Sequence, residues 1–513
     1  MTSARAYYNV SCVITNPSSR ENGVISAYPA QMSYSPGDSI SFRCSTDLAR
    51  FSVEVTLEGA ESEVVWSLSD CAGRLQSVPV DAASRGCQWE EVFTVPTTGA
   101  WRSGFYLVTM RGSGSGADDV AHSFFVLRPA KPGSPVLLVL STNTYNAYND
   151  WGGPCLYTGG VRVSFERPLA AGFLVKPEPA PRIASVSDEI DRDALRFRRW
   201  AEQNGLSPWS GAAGWYNWER PFIRWAEAAG FSLDVATNAD LEFHPEVLDD
   251  HRLVVSVGHD EYWSWGMRDS LEGFIAGGGN AAFFSGNDLC WQIRFENGDR
   301  AMLSYKYQFR DDPVFGTSDQ HLLTSLWCDH LIGRPENRLT GVSAARGGYV
   351  RIGLGVPRGS GGYTVWRPEH WAFEGTELRY GDLLGGQSMV VGYEADGCEF
   401  VLENGLPVPT HADGTPDSFT ILATSPAHLW SSDELPSRYA GEPGDLENTA
   451  ERLFGHLTGE TMARVSHGNA VMGSYTAGGT VFTTGCTDWA YGLAARDALV
   501  TRVTANVLDR LSK

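Results

Sequence analysis

Three stretches of this 513-residue sequence concentrate side chains able to do chemistry, and each directly follows an apolar run. Val136-Leu137-Leu138-Val139-Leu140 leads into Ser141-Thr142-Asn143-Thr144-Tyr145-Asn146-Ala147-Tyr148-Asn149-Asp150, with Tyr157 a short way on. Leu253 to Val257 leads into Gly258-His259-Asp260-Glu261-Tyr262-Trp263-Ser264, and Ala281 to Phe284 into Ser285-Gly286-Asn287-Asp288. Phenol and carboxylate oxygens suit a hard, highly charged cation, and a trivalent ion lowers a tyrosine pKa far below its usual ~10, so that the phenolate can coordinate at neutral pH. His259 and Glu261 are two residues apart on an extended segment, so both side chains face one way, one toward such a metal and one toward a substrate.

The elements that must position these loops follow from the pattern. The apolar runs are strands of buried type. A helical segment from Pro221 to Ala229 ends at Gly230 and leads to a second strand, Phe231 to Val235. Pro245 to Leu248 is a helical turn, and Trp265 to Ile275 is a helix closed by Gly277-Gly278-Gly279. Strands alternating with helices imply a doubly wound parallel sheet, in which ligands sit outside the carboxyl ends of the strands, where the three loops converge. Ala470 to Ser474 and Thr480 to Thr484 read as strands rejoining that sheet. Leu499, Val503, Val507 and Leu511 mark one face of a closing helix. Residues 300 to 420 read as an insertion of antiparallel strands and loops. Before the proline-rich stretch Arg128 to Gly133, short alternating runs such as Ile40/Phe42/Cys44 and Phe51/Val53/Val55/Leu57 predict an immunoglobulin-like β-sandwich over residues 1 to 128. An α/β domain is expected over 134 to 513.

Composition excludes several function classes. Lys+Arg number 40 against 61 Asp+Glu, a net charge of -21, which leaves little field to attract nucleic acid or an anionic bilayer. Only Lys131, Lys176, Lys306 and Lys513 are lysines, and no phosphate-loop motif surrounds any of them. The strand ends lack the GxSxG or GxCxG of a nucleophile elbow; Gly485-Cys486-Thr487 has the cysteine without the second glycine. Nine thinly spread cysteines without CxxC pairs are expected to be reduced thiols. The absence of a leader-like or membrane-length apolar run predicts a cytoplasmic protein.

Taken in order, LLVLSTNTYNAYNDWGG (137 to 153), GFSLDVATNADLEFHPEVLDDHRLVVSVGHDEYWS (230 to 264), GGGNAAFFSGND (277 to 288), VGYEAD (391 to 396) and TGCTDWAYGL (484 to 493) resemble the C-terminal catalytic region of the N,N-dimethylformamidase large subunit, over roughly residues 134 to 513. The resemblance implies a mononuclear iron, Fe3+, held by Tyr148, Tyr157 and Glu261, with His259, Asn287 and Glu394 as catalytic groups, and hydrolysis of a C–N amide bond in a small, formamide-type substrate. Tyr145 and Tyr262 remain rivals as tyrosine ligands. It also implies a separate small subunit or a homo-oligomer. Two other readings stand beside it: a non-catalytic ligand- or partner-binding protein on the same scaffold, and a zinc hydrolase using His259, Glu261 and Asp288. His370, His411 and His428 are expected to be ordinary surface or core residues, and the tryptophans Trp209, Trp215, Trp218 and Trp225 to pack, with Trp215-Tyr216 the pair that can wall a pocket.

Overall fold

The computed structural model describes residues 25–112, 119–184, 196–351, 359–434 and 444–513. The N-terminal alternation folds into two sheets. Ile25–Pro29, Ser39–Thr46 and Glu91–Pro96 form an antiparallel three-stranded sheet; Ser33–Tyr34, Val120–Leu127, Gly104–Gly112, Arg50–Leu57 and Glu63–Ala72 form a five-stranded one in that order. Period-two burial places Ile40, Phe42 and Cys44 of one sheet against Phe51, Val53 and Val55 of the other.

The second face of the five-stranded sheet is covered as well. Phe105, Phe124 and Val126 belong to one apolar cluster with Leu138, Leu140, Trp215 and Phe222. Phe105 stacks on Trp215 with centroids 3.8 Å apart and planes 2° from parallel. The Val235 amide donates to Ser103 Oγ at 2.8 Å, and Arg102 pairs with Glu227 at 2.9 Å. The Arg128 to Gly133 stretch therefore joins two parts that share a core.

The large sheet has eleven strands, nine of them in one path. These are β1 (Val136–Leu140), β2 (Asp234–Thr237), β3 (Leu253–His259), β4 (Asn280–Gly286), β5 (Ser343–Tyr349), β6 (Glu394–Gly397), β7 (Thr420–His428), β8 (His467–Ala477) and β9 (Gly479–Thr483). Their order is β2-β1-β3-β4-β9-β8-β7-β5-β6. From β2 to β9 neighbouring strands run parallel, as the strand–helix alternation predicts; from β9 onward every pair is antiparallel. The sheet is thus mixed rather than parallel throughout, and strands from the stretch read as an insertion extend it. The flanking helices are α1 (Thr142–Tyr148), α2 (Glu219–Ala228), α3 (Trp265–Ala276), α4 (Trp489–Ala494) and α5 (Ala498–Leu511). In α5, Val503, Val507 and Leu511 are buried, while Leu499 at its start is only partly covered.

One boundary moves. The second strand begins at Asp234, not Phe231, because α2 ends in a Schellman closure. Gly230 takes φ 91°, its amide bonds the Glu227 carbonyl at 3.0 Å, and the Phe231 amide bonds the Ala226 carbonyl at 2.9 Å. Those bonds commit the first residues after the helix to its cap. All eight described cysteines are buried and free, and Cys12 lies outside the described residues. No helix among the described residues is long and apolar enough to cross a membrane.

Candidate functional site

β1 has β2 on one side and β3 on the other, so the chain departs in opposite directions around its carboxyl end, the place where open α/β sheets bind ligands. α1 starts there, and all seven of its residues are buried. The Thr144 hydroxyl accepts the Glu261 amide at 3.0 Å, and Asn143 Nδ2 donates to the Tyr262 carbonyl at 3.0 Å. The first loop therefore pins the second.

Alternation along the second loop sorts its side chains. Asp260 turns inward, accepting from Ser256 Oγ at 2.9 Å and Asn238 Nδ2 at 3.1 Å. His259 and Glu261 share the other side, with His259 Nε2 and Glu261 Oε2 3.3 Å apart. The Glu394 Oε2 atom, from the start of β6, lies 2.8 Å from the same His259 nitrogen. Asn287 completes this cluster: its Nδ2 is 2.8 Å from Glu394 Oε2 and 3.1 Å from His259 Nε2. Asn287 holds a left-handed φ of 54°, and its amide and that of Asp288 donate to the two Asp396 oxygens at 2.9 and 3.0 Å. Two ladders thus meet: β4 delivers Asn287, and β6, bridged to the end of β9 through Ala395 and Cys486, delivers Glu394.

The histidine has one free choice of proton. Nδ1 is 2.7 Å from the Ala212 carbonyl, which can only accept, so Nδ1 carries a hydrogen and Nε2 is the atom that gains or loses one. Burial lowers the His259 pKa, but the opposing charges of Glu394 and Glu261 outweigh it and raise it to about 10.

The predicted tyrosines sit beside this cluster. Tyr157 donates to Glu261 Oε1 at 2.6 Å, Trp291 Nε1 donates to the same oxygen at 2.9 Å, and Tyr148 stacks on Tyr157 with centroids 4.2 Å apart. Burial first, and the Glu261 charge second, push both phenols well above their usual range, so without a cation they stay protonated. Apart from His259 Nε2, 3.3 Å away, nothing donates to the buried Glu261 Oε2. Two buried phenols and a carboxylate oxygen so lightly engaged are a donor set that fits a hard cation.

The rivals resolve differently. Tyr145 donates to Glu219 Oε1 at 2.7 Å, away from Glu261. Tyr262 donates to the Tyr157 hydroxyl at 2.8 Å and receives Lys306 Nζ at 2.9 Å, so it stands behind Tyr157. The zinc alternative is not assembled. No group of three or more His, Cys, Asp and Glu among the described residues is arranged to hold a metal. His370 caps the turn at Ala372, and His411 meets the Thr415 carbonyl.

Two site residues escaped sequence reasoning. Lys306, noticed only for lacking a phosphate loop, is buried with Nζ 3.3 Å from the centre of the Tyr157 ring and 4.7 Å from that of Trp291. Burial pulls its pKa down to about 8 against the opposing pull of Glu261. Its left-handed φ of 51° is a strained conformation for a lysine and gives no signal in sequence. Trp209, rather than Trp215, walls the tyrosines, at 5.5 Å from Tyr157 and 6.0 Å from Tyr148.

The carboxyl that holds Tyr145 makes one prediction. Burial raises Glu219 from 4.5 to about 7. A carboxyl whose folded pKa exceeds its unfolded value adds stability that is fully present below the unfolded pKa and is lost as pH rises through the folded one. Glu219→Gln removes that loss. Between about pH 5 and 8 the variant is expected to gain on the wild type by on the order of 1–3 kcal/mol, read by urea unfolding at stepped pH. Parallel pH slopes for the two proteins would contradict it.

Residues 55–502 match the family described as N,N-dimethylformamidase beta subunit-like, C-terminal, and the chain belongs to that family. It is 26% identical to the N,N-dimethylformamidase beta subunit of Alcaligenes sp and 23% identical to that of Paracoccus aminophilus, in each case over 83% of this chain and 55% of the relative. The chain thus spans about half the length of these curated relatives. The match begins inside the N-terminal sheets, well before residue 134, so part of those sheets belongs to the family pattern.

Proposed function

We propose that this chain is an iron-dependent amidohydrolase that cleaves the C–N bond of a small amide, of N-substituted formamide type, with activated water. The observation that carries this reading is the meeting of His259 Nε2, Glu394 Oε2 and Asn287 Nδ2 within 3.1 Å of one another, beside a carboxylate and two stacked phenols. A mononuclear Fe3+ held by Tyr148, Tyr157 and Glu261 would polarise the amide carbonyl and acidify water. The names of the relatives support amide hydrolysis, and as beta subunits they support a separate partner chain. We also read the N-terminal sheets as immunoglobulin-like (1–128), the large sheet with its helices as Rossmann-like (134–513), and the protein as cytoplasmic.

The residues divide the proton work. Glu394 accepts a proton from the attacking water, and His259, recharged at Nε2, delivers one to the departing amine. With His259 charged, as its pKa of about 10 implies near neutral pH, Nε2–H meets Glu394 Oε2 and accepts nothing, so Glu394 holds one Asn287 N–H and the other is available to the developing oxyanion. Trp209 and the Tyr148 ring exclude water from one side.

Elemental analysis of the purified chain tests the reading. About one iron per chain, with turnover of a small formamide, is the expected result; no metal, or zinc in its place, overturns it.

A further inference from the structure

One short turn touches both halves of the site. Pro208–Gly211 is a 3₁₀ turn capped by Ser207, whose side chain accepts the Trp209 amide. Trp209 lies against Tyr157 and Tyr148, and three residues later the Ala212 carbonyl takes His259 Nδ1–H at 2.7 Å. The turn is locked from behind by two buried polar side chains. Lys176 Nζ donates to the Ser210 carbonyl at 2.8 Å and to Asn217 Oδ1 at 2.5 Å; Asn217 Nδ2 donates to the same Ser210 carbonyl at 2.9 Å and to the Ala213 carbonyl at 3.1 Å. Lys176 and Asn217 are each only 4% exposed, and Ser210 is fully buried. Around Nζ lie the rings of Phe197, at 5.0 Å, and Tyr216, at 5.1 Å, and no carboxylate is in salt-bridge contact among the described residues. An ammonium withdrawn from water onto a carbonyl and an amide is costly, and a core needing only volume is better filled by Met or Leu. The same feature appears in its lowered pKa, about 7, caused by burial.

We propose that Lys176 and Asn217 are positioning residues for His259. By holding the Ser210 carbonyl they fix the turn whose Ala212 carbonyl sets the imidazole's tautomer and ring orientation. The inference rests on the reading of His259 as the proton-transfer group, but its structural half can be tested without substrate. In crystal structures of the full-length chain carrying Lys176→Met or Asn217→Leu, Ala212 O is expected to leave hydrogen-bond reach of His259 Nδ1. In turnover, kcat is expected to fall about tenfold or more with KM within about twofold, since misplacing a proton donor weakens the chemical step rather than substrate binding. Asn217→Asp keeps an acceptor for Lys176 and is expected to retain more of kcat than Asn217→Leu. Should Lys176→Met fail to fold, the two Asn217 variants carry the same comparison. An Ala212–His259 contact unchanged in Asn217→Leu overturns the proposal, as does equal loss of kcat in Asn217→Asp and Asn217→Leu. A wild-type chain that cleaves no amide, while the variants displace Ala212 as expected, overturns the functional reading and leaves the positioning role standing.

Discussion

Glu261→Gln is expected to leave the purified chain with less than about a tenth of the wild-type iron and with turnover down by about 10³ or more. The change is nearly isosteric, so the packing of Glu261 between Tyr157 and Trp291 survives. What changes is charge and donor type. A neutral amide oxygen is a weaker ligand for a hard trivalent cation, and without the cation the buried phenols have nothing to favour their ionised form. Iron content and the visible phenolate-to-iron absorption should therefore fall together. Full iron content in the variant would remove Glu261 from the ligand set. Tyr157→Phe is the companion experiment, because it deletes the hydroxyl that meets Glu261 Oε1 and accepts from Tyr262.

His259→Ala is expected to behave in the opposite way, keeping its iron and losing turnover by roughly 10²–10⁴, the range over which positioned general acid–base groups act. The imidazole lies between Glu394 and Glu261, so its removal brings two carboxylates together without the group that separates them. Part of the loss then reflects the repulsion of two carboxylates left without the group between them. His259→Gln separates the two effects, since it restores a donor but cannot move a proton. Iron determination beside kcat decides the matter: loss of metal in His259→Ala would make the histidine a ligand and not a proton carrier.

The sequence made the carboxyl ends of β1, β3 and β4 legible because their strands are short apolar runs and their loops concentrate polar and aromatic residues. The same-side placement of His259 and Glu261 follows from period two alone. Glu394 had no such local cue and came only through the resemblance. Lys306 and Trp209 were missed because a backbone kink in one case and a capped turn in the other bring them to the tyrosines, and neither leaves a periodic trace. Of the antiparallel half of the large sheet, β8 and β9 were legible as strands, whereas β5 and β6 fell in the stretch read as an insertion because glycines interrupt them. At Gly347, for example, a Cβ would lie 1.8 Å from the Ala395 carbonyl oxygen, so the close approach of strands that makes the sheet is what spoils the hydrophobic alternation. Register between distant strands is a property of pairs, and no single window of sequence contains it.

Phe105 lies against Trp215, and Trp215 belongs to the same few residues that present Ala212 to the imidazole. The N-terminal sheets therefore back the segment that carries Ala212 and share its apolar core. On the proposed function, selection for a new substrate should then find answers in those strands as readily as in the loops after β1, β3 and β4. A catalytic region excised at the proline-rich stretch would carry an open apolar flank where its most demanding geometry is set, which makes transplanting this centre into other scaffolds a matter of moving both halves together.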